Sequence, residues 1–210
     1  MRIKLDRAAK LRLLGAAAFN FFVYGAGRML AQQEIHTVMT TVLDNRIPFL
    51  PWTIVIYLGC YLFWAVNYCL AVSGEQEGSS RLILAHFLGE TVCFAAFVCL
   101  PATLVRPEVA GTGIFQRLVR LTYRLDQADN LFPSVHCFVS WLCWLGVRNK
   151  DGIPRWYRHF SLVMALAVCV STLTVKQHVI ADVFAGVLLA QVSWMCAGAA
   201  GESASRASEG

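Results

Sequence analysis

The sequence predicts an all-α integral membrane protein, one bundle of six transmembrane helices occupying the whole chain of 210 residues. Three observations carry this expectation. Hydrophobic residues make up 57% of the chain and charged residues 15%, with a mean hydropathy of +0.55, far from the balance of a soluble domain. Apolar runs of about 17 to 24 residues recur along the chain, and about 20 helical residues cross a ~30 Å hydrocarbon core. The runs are continuous and do not alternate, which favours helices over barrel strands, the other structure able to satisfy its backbone in lipid.

The first span, 12–31, follows Arg2, Lys4, Arg7, Lys10 and Arg12. This basic lead places the N-terminus in the cytoplasm. A cleaved signal peptide is the alternative for this span; Asn20 interrupts the run and no small-x-small site follows it. Asp44, Pro48 and Pro51 then form a turn that re-aims the chain into the second span, 51–73, and the third, 82–104, contains His86 and Glu90 at helical i, i+4 spacing. These two polar groups are costly in lipid, so they are expected to face the bundle interior as a contact between helices, with a proton path as the second reading.

The loop 105–131 faces outward in this topology, yet it carries Arg106, Arg117, Arg120 and Arg124. The last three recur at helical spacing and are expected to face lipid headgroups. Asp126 and Asn130 are read as shaping the turn before Pro133. The fourth span, 132–148, leads into a basic inner loop with Arg148, Lys150, Arg155 and Arg158; the fifth and sixth, 159–175 and 178–199, are joined by a tight turn. The Ser/Ala/Gly-rich tail 200–210 is expected to be flexible. The eight cysteines all lie in apolar runs without C-x-x-C spacing, as small buried hydrophobes rather than zinc ligands or disulfide partners. There is no internal repeat and no nucleotide-binding glycine loop, and no nucleic-acid partner is expected.

With this topology Arg106, His136 and His178, distant in sequence, all end at the outer interface. His178 and Asp182 are one helical turn apart, so the carboxylate can hold one imidazole nitrogen and leave the other free to attack. Pro133 suits the first position of a helix, and the amides of Ser134, Val135 and His136 that follow suit an anion. Imidazoles act as nucleophile and proton donor near neutral pH, so the grouping points to phosphoryl chemistry at a membrane surface. A single interfacial histidine is more often structural; it is the joint placement that carries the catalytic reading.

Arg106-Pro107, Pro133-Ser134-Val135-His136 and His178 to Asp182, in this order, resemble the three signature motifs of the type 2 phosphatidic acid phosphatase superfamily, which holds lipid phosphate phosphatases and, more distantly, sphingomyelin and inositol phosphorylceramide synthases. The resemblance covers about residues 99–186 and agrees with that family's six-helix architecture. It implies that His178 is a nucleophile forming a phosphohistidine, that Asp182 orients it, and that His136 protonates the leaving group and then activates the acceptor. It implies that Arg106, with the hydroxyl and amide of Ser134 and the adjoining Val135, binds phosphoryl oxygens, without metal or cofactor. The chain departs from the phosphatase pattern at Cys99 and Thr172, where lysine and arginine are usual, and at Val135, where glycine is usual. Lys176 is the candidate replacement for a missing cation, the alternative being a cation snorkelling at a helix end.

Three functions follow as expectations. The first is a lipid phosphate phosphatase acting at the outer face of a membrane, a bacterial cell membrane being the expected setting, with N- and C-termini in the cytoplasm. The second is a phosphotransferase that moves a phospho-head group from a phospholipid to a lipid alcohol, favoured by the scarcity of cations because a diester carries less charge than a monoester. The third, a non-catalytic transporter or scaffold, lacks the repeats and broken helices that transporters often show.

Overall fold

A computed structural model describes residues 5–31, 36–74 and 76–209; the N-terminal Arg2 and Lys4 lie outside them. The helices in chain order are α1 (Arg7–Ala31), α2 (Val42–Arg46), α3 (Ile54–Val72), α4 (Gln76–Cys99), α5 (Ile114–Leu125), α6 (Val135–Val147), α7 (Arg155–Thr174) and α8 (Ile180–Glu209). Two residues of β1 (Thr37–Val38) pair in parallel with β2 (Ala102–Thr103). Among the described residues, five helical stretches are long and apolar enough to cross a membrane, namely Arg7–Leu30, Pro51–Val72, Gly78–Cys99, Arg155–Thr174 and Ile180–Ser203. The chain is thus a multi-pass bundle of apolar helices.

The run expected as the fourth span forms α6, which has only 13 residues and a length of about 20 Å. Its side chain at Ser134 caps one end, and the turn at Asp151-Gly152 follows the other. It is packed on all sides by α3, α4, α7 and α8, and Phe138, Leu142, Cys143 and Val147 are fully buried there. Glycine makes the closest of these approaches. A Cβ at Gly186 of α8 would strike the carbonyl oxygen of Ser134, and one at Gly89 of α4 would strike the ring of Phe138.

Several boundaries differ from the sequence expectation for local reasons. α4 starts at Gln76 and stops at Cys99 rather than running to 104, because Pro101 cannot continue a helix; the apolar residues beyond it supply β2. α7 begins at Arg155, directly after Pro154. The tail, expected to be flexible, continues α8 to Glu209. Its alanine, serine and glutamate residues include no proline, and lengthening an existing helix needs no new nucleus. The eight cysteines are free, and Cys60, Cys93, Cys137, Cys143 and Cys169 are buried.

The start of α3, α6 and α8 and the end of α1, α4 and α7 share one end of the bundle, tied by hydrogen bonds from Thr37 N to Pro101 O, Leu50 N to Thr174 O and Ser134 N to Asp182 O. At the opposite end Arg12 donates to Ser79 Oγ, Lys150 to Ala71 O and Arg158 to the carbonyls of Lys150 and Ile153. In the interior, Tyr68 donates to His86 Nδ1 at 2.8 Å while His86 Nε2 donates to Ala16 O at 3.1 Å. Asn20 Nδ2 donates to Glu90 Oε1 at 2.6 Å. His86 and Glu90 therefore join α4 to α1 and α3, each through its own partners.

Candidate active site

The turn between α7 and α8 positions the first histidine. The carbonyl of Thr172 accepts the amides of Gln177 and His178, and Lys176 takes a left-handed conformation with φ 55°. Asp182, in the first turn of α8, faces back toward this turn. Its Oδ2 accepts from His178 Nδ1 at 2.8 Å and its Oδ1 from Val179 N at 2.9 Å. Asp182 is 0% and His178 8% exposed, so the carboxylate is shielded from water yet both its oxygens have donors. His178 Nε2 lies 3.5 Å from Nδ1 of His136 on the first turn of α6.

His136 sits in an aromatic box built by α3. Tyr57, Tyr61 and Trp64 recur at helical spacing on one face of α3, and their ring centroids lie 4.5, 6.1 and 5.5 Å from that of His136. The Tyr57 ring is nearly parallel to the imidazole, at 27°. Tyr57 and Tyr24 both donate to Asp126, at 2.9 Å to Oδ2 and 2.6 Å to Oδ1. Asp126 thus ties α1 and α3 together behind the histidine, a function beyond shaping a turn.

Arg106 completes this side. Its Nη1 donates to the carbonyl of Asp126 at 2.9 Å, its Nη2 to Gln177 Oε1, and its guanidinium lies 4.6 Å above the Tyr123 ring. Burial pushes the guanidinium below its ordinary pKa, opposed chiefly by the carboxylate of Asp126; an arginine stays charged at neutral pH. Arg106, His136, His178, Gln177 and Asp126 border one cavity of about 240 Å³, which extends between α1 and α4 to Asn20 and Glu90. Val23, Phe97, Leu131 and Val135 give the wall its apolar part, beside the polar Tyr24, Tyr61, Gln127 and Asn130.

Two expected site residues, Ser134 and Lys176, are held by other partners. Ser134 is 0% exposed; its Oγ accepts the Cys137 amide and its own amide donates to Asp182 O. It is the cap of α6 rather than an open anion ligand, and Pro133 precedes that cap instead of starting the helix. Only the amides of Val135 and His136 in that first turn have no acceptor among the described residues. Lys176 points away from the histidine pair and donates to Asp44 O and Ile47 O at 2.7 and 2.6 Å. It borders a second cavity, of about 390 Å³, that reaches His178 from the side of α2. Burial lowers the ammonium's pKa and Asp44 opposes the shift.

Asp44, expected as part of a turn, anchors the α7–α8 connection. Its Oδ1 accepts the Ile180 amide at 2.7 Å, and its Oδ2 closes a capping box with Thr41. Burial alone would raise its carboxyl pKa, but hydrogen bonds from Thr41 and Ile180, with the charge of Lys176, outweigh it and hold the group below the usual range. Arg117 and Arg120, expected to face headgroups, instead donate to the carbonyls of Thr112, Val109 and Gly111 and fix the loop before α5. Cys99 is exposed, and Thr172 is buried with its hydroxyl on Cys169 O.

Gln177, Asp126, Tyr57 and Tyr24 are the site residues that sequence reasoning missed. For Gln177 the signal was adjacency to His178, and for Tyr57 it was the i, i+4, i+7 aromatic stripe on α3. Asp126 bonds partners 69 and 102 residues away, and nothing local marks it. Among the described residues no cluster of metal-ligating side chains is present. Comparison of the chain with protein-family models, curated proteins and solved structures returns no match.

Proposed function

We propose that this protein is a membrane lipid phosphate phosphatase acting through a phosphohistidine, in the manner of the superfamily its motifs resemble. The observation that carries the reading is the chain of contacts from Asp182 through His178 to His136, 2.8 Å and then 3.5 Å, at a cavity that holds a buried arginine. Asp182 accepts the Nδ1 proton of His178, leaving Nε2 with a lone pair for phosphorus. As the N–P bond forms and the ester P–O bond breaks, protonated His136 gives its proton to the leaving lipid oxygen. Neutral His136 then takes a proton from water, whose oxygen attacks phosphorus and displaces His178. Lipid alcohol and inorganic phosphate leave, and both histidines return to their starting states.

Arg106 supplies positive charge for the phosphoryl oxygens. In the proposed topology α6 is the fourth of six crossing segments, the N- and C-termini are cytoplasmic, and the histidine end faces outward. The cations at the opposite end, Arg12, Arg81, Arg148, Lys150, Arg155 and Arg158, support that orientation. The purified protein in detergent should release inorganic phosphate from lipid monoesters, undiminished by EDTA and abolished in His178→Ala. Activity persisting in that variant would refute the assigned nucleophile.

One observation favours a second reading. Among the described residues bordering the cavity Arg106 is the only lysine or arginine, which suits the single negative charge of a phosphodiester. A phosphotransferase would yield a new phospholipid that depends on added lipid alcohol, with no free phosphate.

A further inference from the structure

Four side-chain atoms of residues bordering the main cavity are shielded from solvent and have no hydrogen-bond partner among the described residues: Arg106 Nε, Gln177 Nε2, Glu90 Oε2 and Asn130 Oδ1. The orientation of both amides is fixed by their other bonds. Gln177 Oε1 accepts from Arg106, so its Nε2 is a donor; Asn130 Nδ2 donates to Tyr24 O, so its Oδ1 is an acceptor. The two donors belong to Arg106 and to the residue next to His178. The carboxyl and the amide oxygen are held from α1, by Asn20 and by the Tyr24 carbonyl, one helical turn apart. Glu90 is 0% exposed, and one of its two carboxyl oxygens is left without a partner among the described residues.

Buried polar atoms without partners are costly, and a ligand that supplies the partners recovers that cost. A complementary molecule has anionic oxygens at the Arg106–Gln177 side and a small polar group at the Glu90–Asn130 side. A hydroxyl pairs with Glu90 Oε2 in either ionisation state, donating to the carboxylate or accepting from the carboxylic acid, and in the second case its own proton goes to Asn130 Oδ1.

We propose that Glu90 and Asn130 recognise a hydroxyl of the lipid itself, so that the preferred substrate is a phosphate ester of an amphiphile with a free hydroxyl a few bonds from phosphorus. A plain alkyl phosphate leaves Glu90 Oε2 and Asn130 Oδ1 unpaired, and an acylated or etherified oxygen has no proton to give either. This rests on the phosphatase reading for its phosphoryl end. Glu90 and Asn130 bind substrate here without taking part in bond making.

The test compares 1-palmitoylglycerol 3-phosphate with its 2-O-methyl ether, which differs only in the masked hydroxyl. A site built around a hydrogen bond rejects an analogue lacking it by a large factor, so the wild-type ratio of kcat/KM is expected to be about tenfold or more. The ratio should fall toward one in Glu90→Leu and stay within about threefold of wild type in Glu90→Gln, which retains a polar oxygen and a donor. A wild-type ratio near one overturns the proposal, as does a Glu90→Leu protein with an unaltered ratio. If Glu90→Leu does not fold, the wild-type ratio alone decides. If wild type releases no phosphate, the phosphatase reading fails, and equilibrium binding of the same two lipids to wild type, followed by tryptophan fluorescence, decides this proposal separately.

Discussion

Removing the carboxylate of Asp126 should loosen His136 without touching the chemistry directly. Asp126 accepts hydroxyl protons from Tyr24 and Tyr57, and Tyr57 stacks on His136 at 4.5 Å. In Asp126→Ala both hydroxyls lose their acceptor. Tyr57 is fully buried, so its stranded donor costs about 1–3 kcal/mol, and Tyr24, partly buried, costs less. A total loss of roughly 2–4 kcal/mol follows. The assay is a double-mutant cycle on thermal unfolding in detergent, with Asp126→Ala, Tyr57→Phe and the double variant. Tyr57→Phe removes the stranded hydroxyl, so the double variant should be more stable than the sum of the single losses predicts, by about 1 kcal/mol or more. The same variants should lower kcat more than they raise KM, because the imidazole loses its support rather than the substrate its contacts. Additivity within about 0.5 kcal/mol would refute the claim that Asp126 acts through Tyr57.

Three further outcomes are expected. Gly186→Ala places a methyl against the Ser134 carbonyl, so it should destabilise by about 1–3 kcal/mol and lower kcat by separating the histidines; an unchanged Tm and rate would contradict the close approach. Asp44 has a depressed pKa when folded, so its contribution is present above the unfolded carboxylate pKa of about 3.9 and lost as pH falls through the folded value; Tm measured down this acid range should fall more steeply for wild type than for Asp44→Asn, and parallel curves would count against the clamp on Ile180. The pH profile of phosphate release should be bell-shaped, because one histidine must be neutral and the other protonated. A flat profile between about pH 5 and 8 would exclude a two-histidine mechanism limited by chemistry.

The sequence made the apolar helices legible because each crossing segment declares itself by a long run of lipid-compatible residues. It was less informative about α6, whose apolar run is enclosed by protein instead of lipid; length alone does not separate those two environments. The bond between His178 and Asp182 was readable from i, i+4 spacing. The network through Asp126 was not, since it joins α1, α3 and the α5–α6 connection by contacts that no local pattern encodes. Lys176 and Ser134 show the converse: sequence placed them correctly beside the histidines, but competing backbone partners, the carbonyls of Asp44 and Ile47 and the amide of Cys137, occupy their polar groups. Residue position was legible there, and side-chain direction was not.

The Gly186 contact has a mechanical consequence. Ser134 and Asp182 are joined main chain to main chain, and no side chain separates α8 from the first turn of α6 at that level. The spacing of the two imidazoles is therefore gauged by backbone, and α6 and α8 behave as one rigid jaw. On the proposed reading, what yields to admit a bulky amphiphile is the opposing jaw, α1, whose grip on this end of the site passes through the tyrosine hydroxyl at Asp126, the Asn130 amide and the Arg28–Asp129 ion pair. Those are polar links that can exchange partners with an incoming headgroup, which a backbone-gauged joint cannot do.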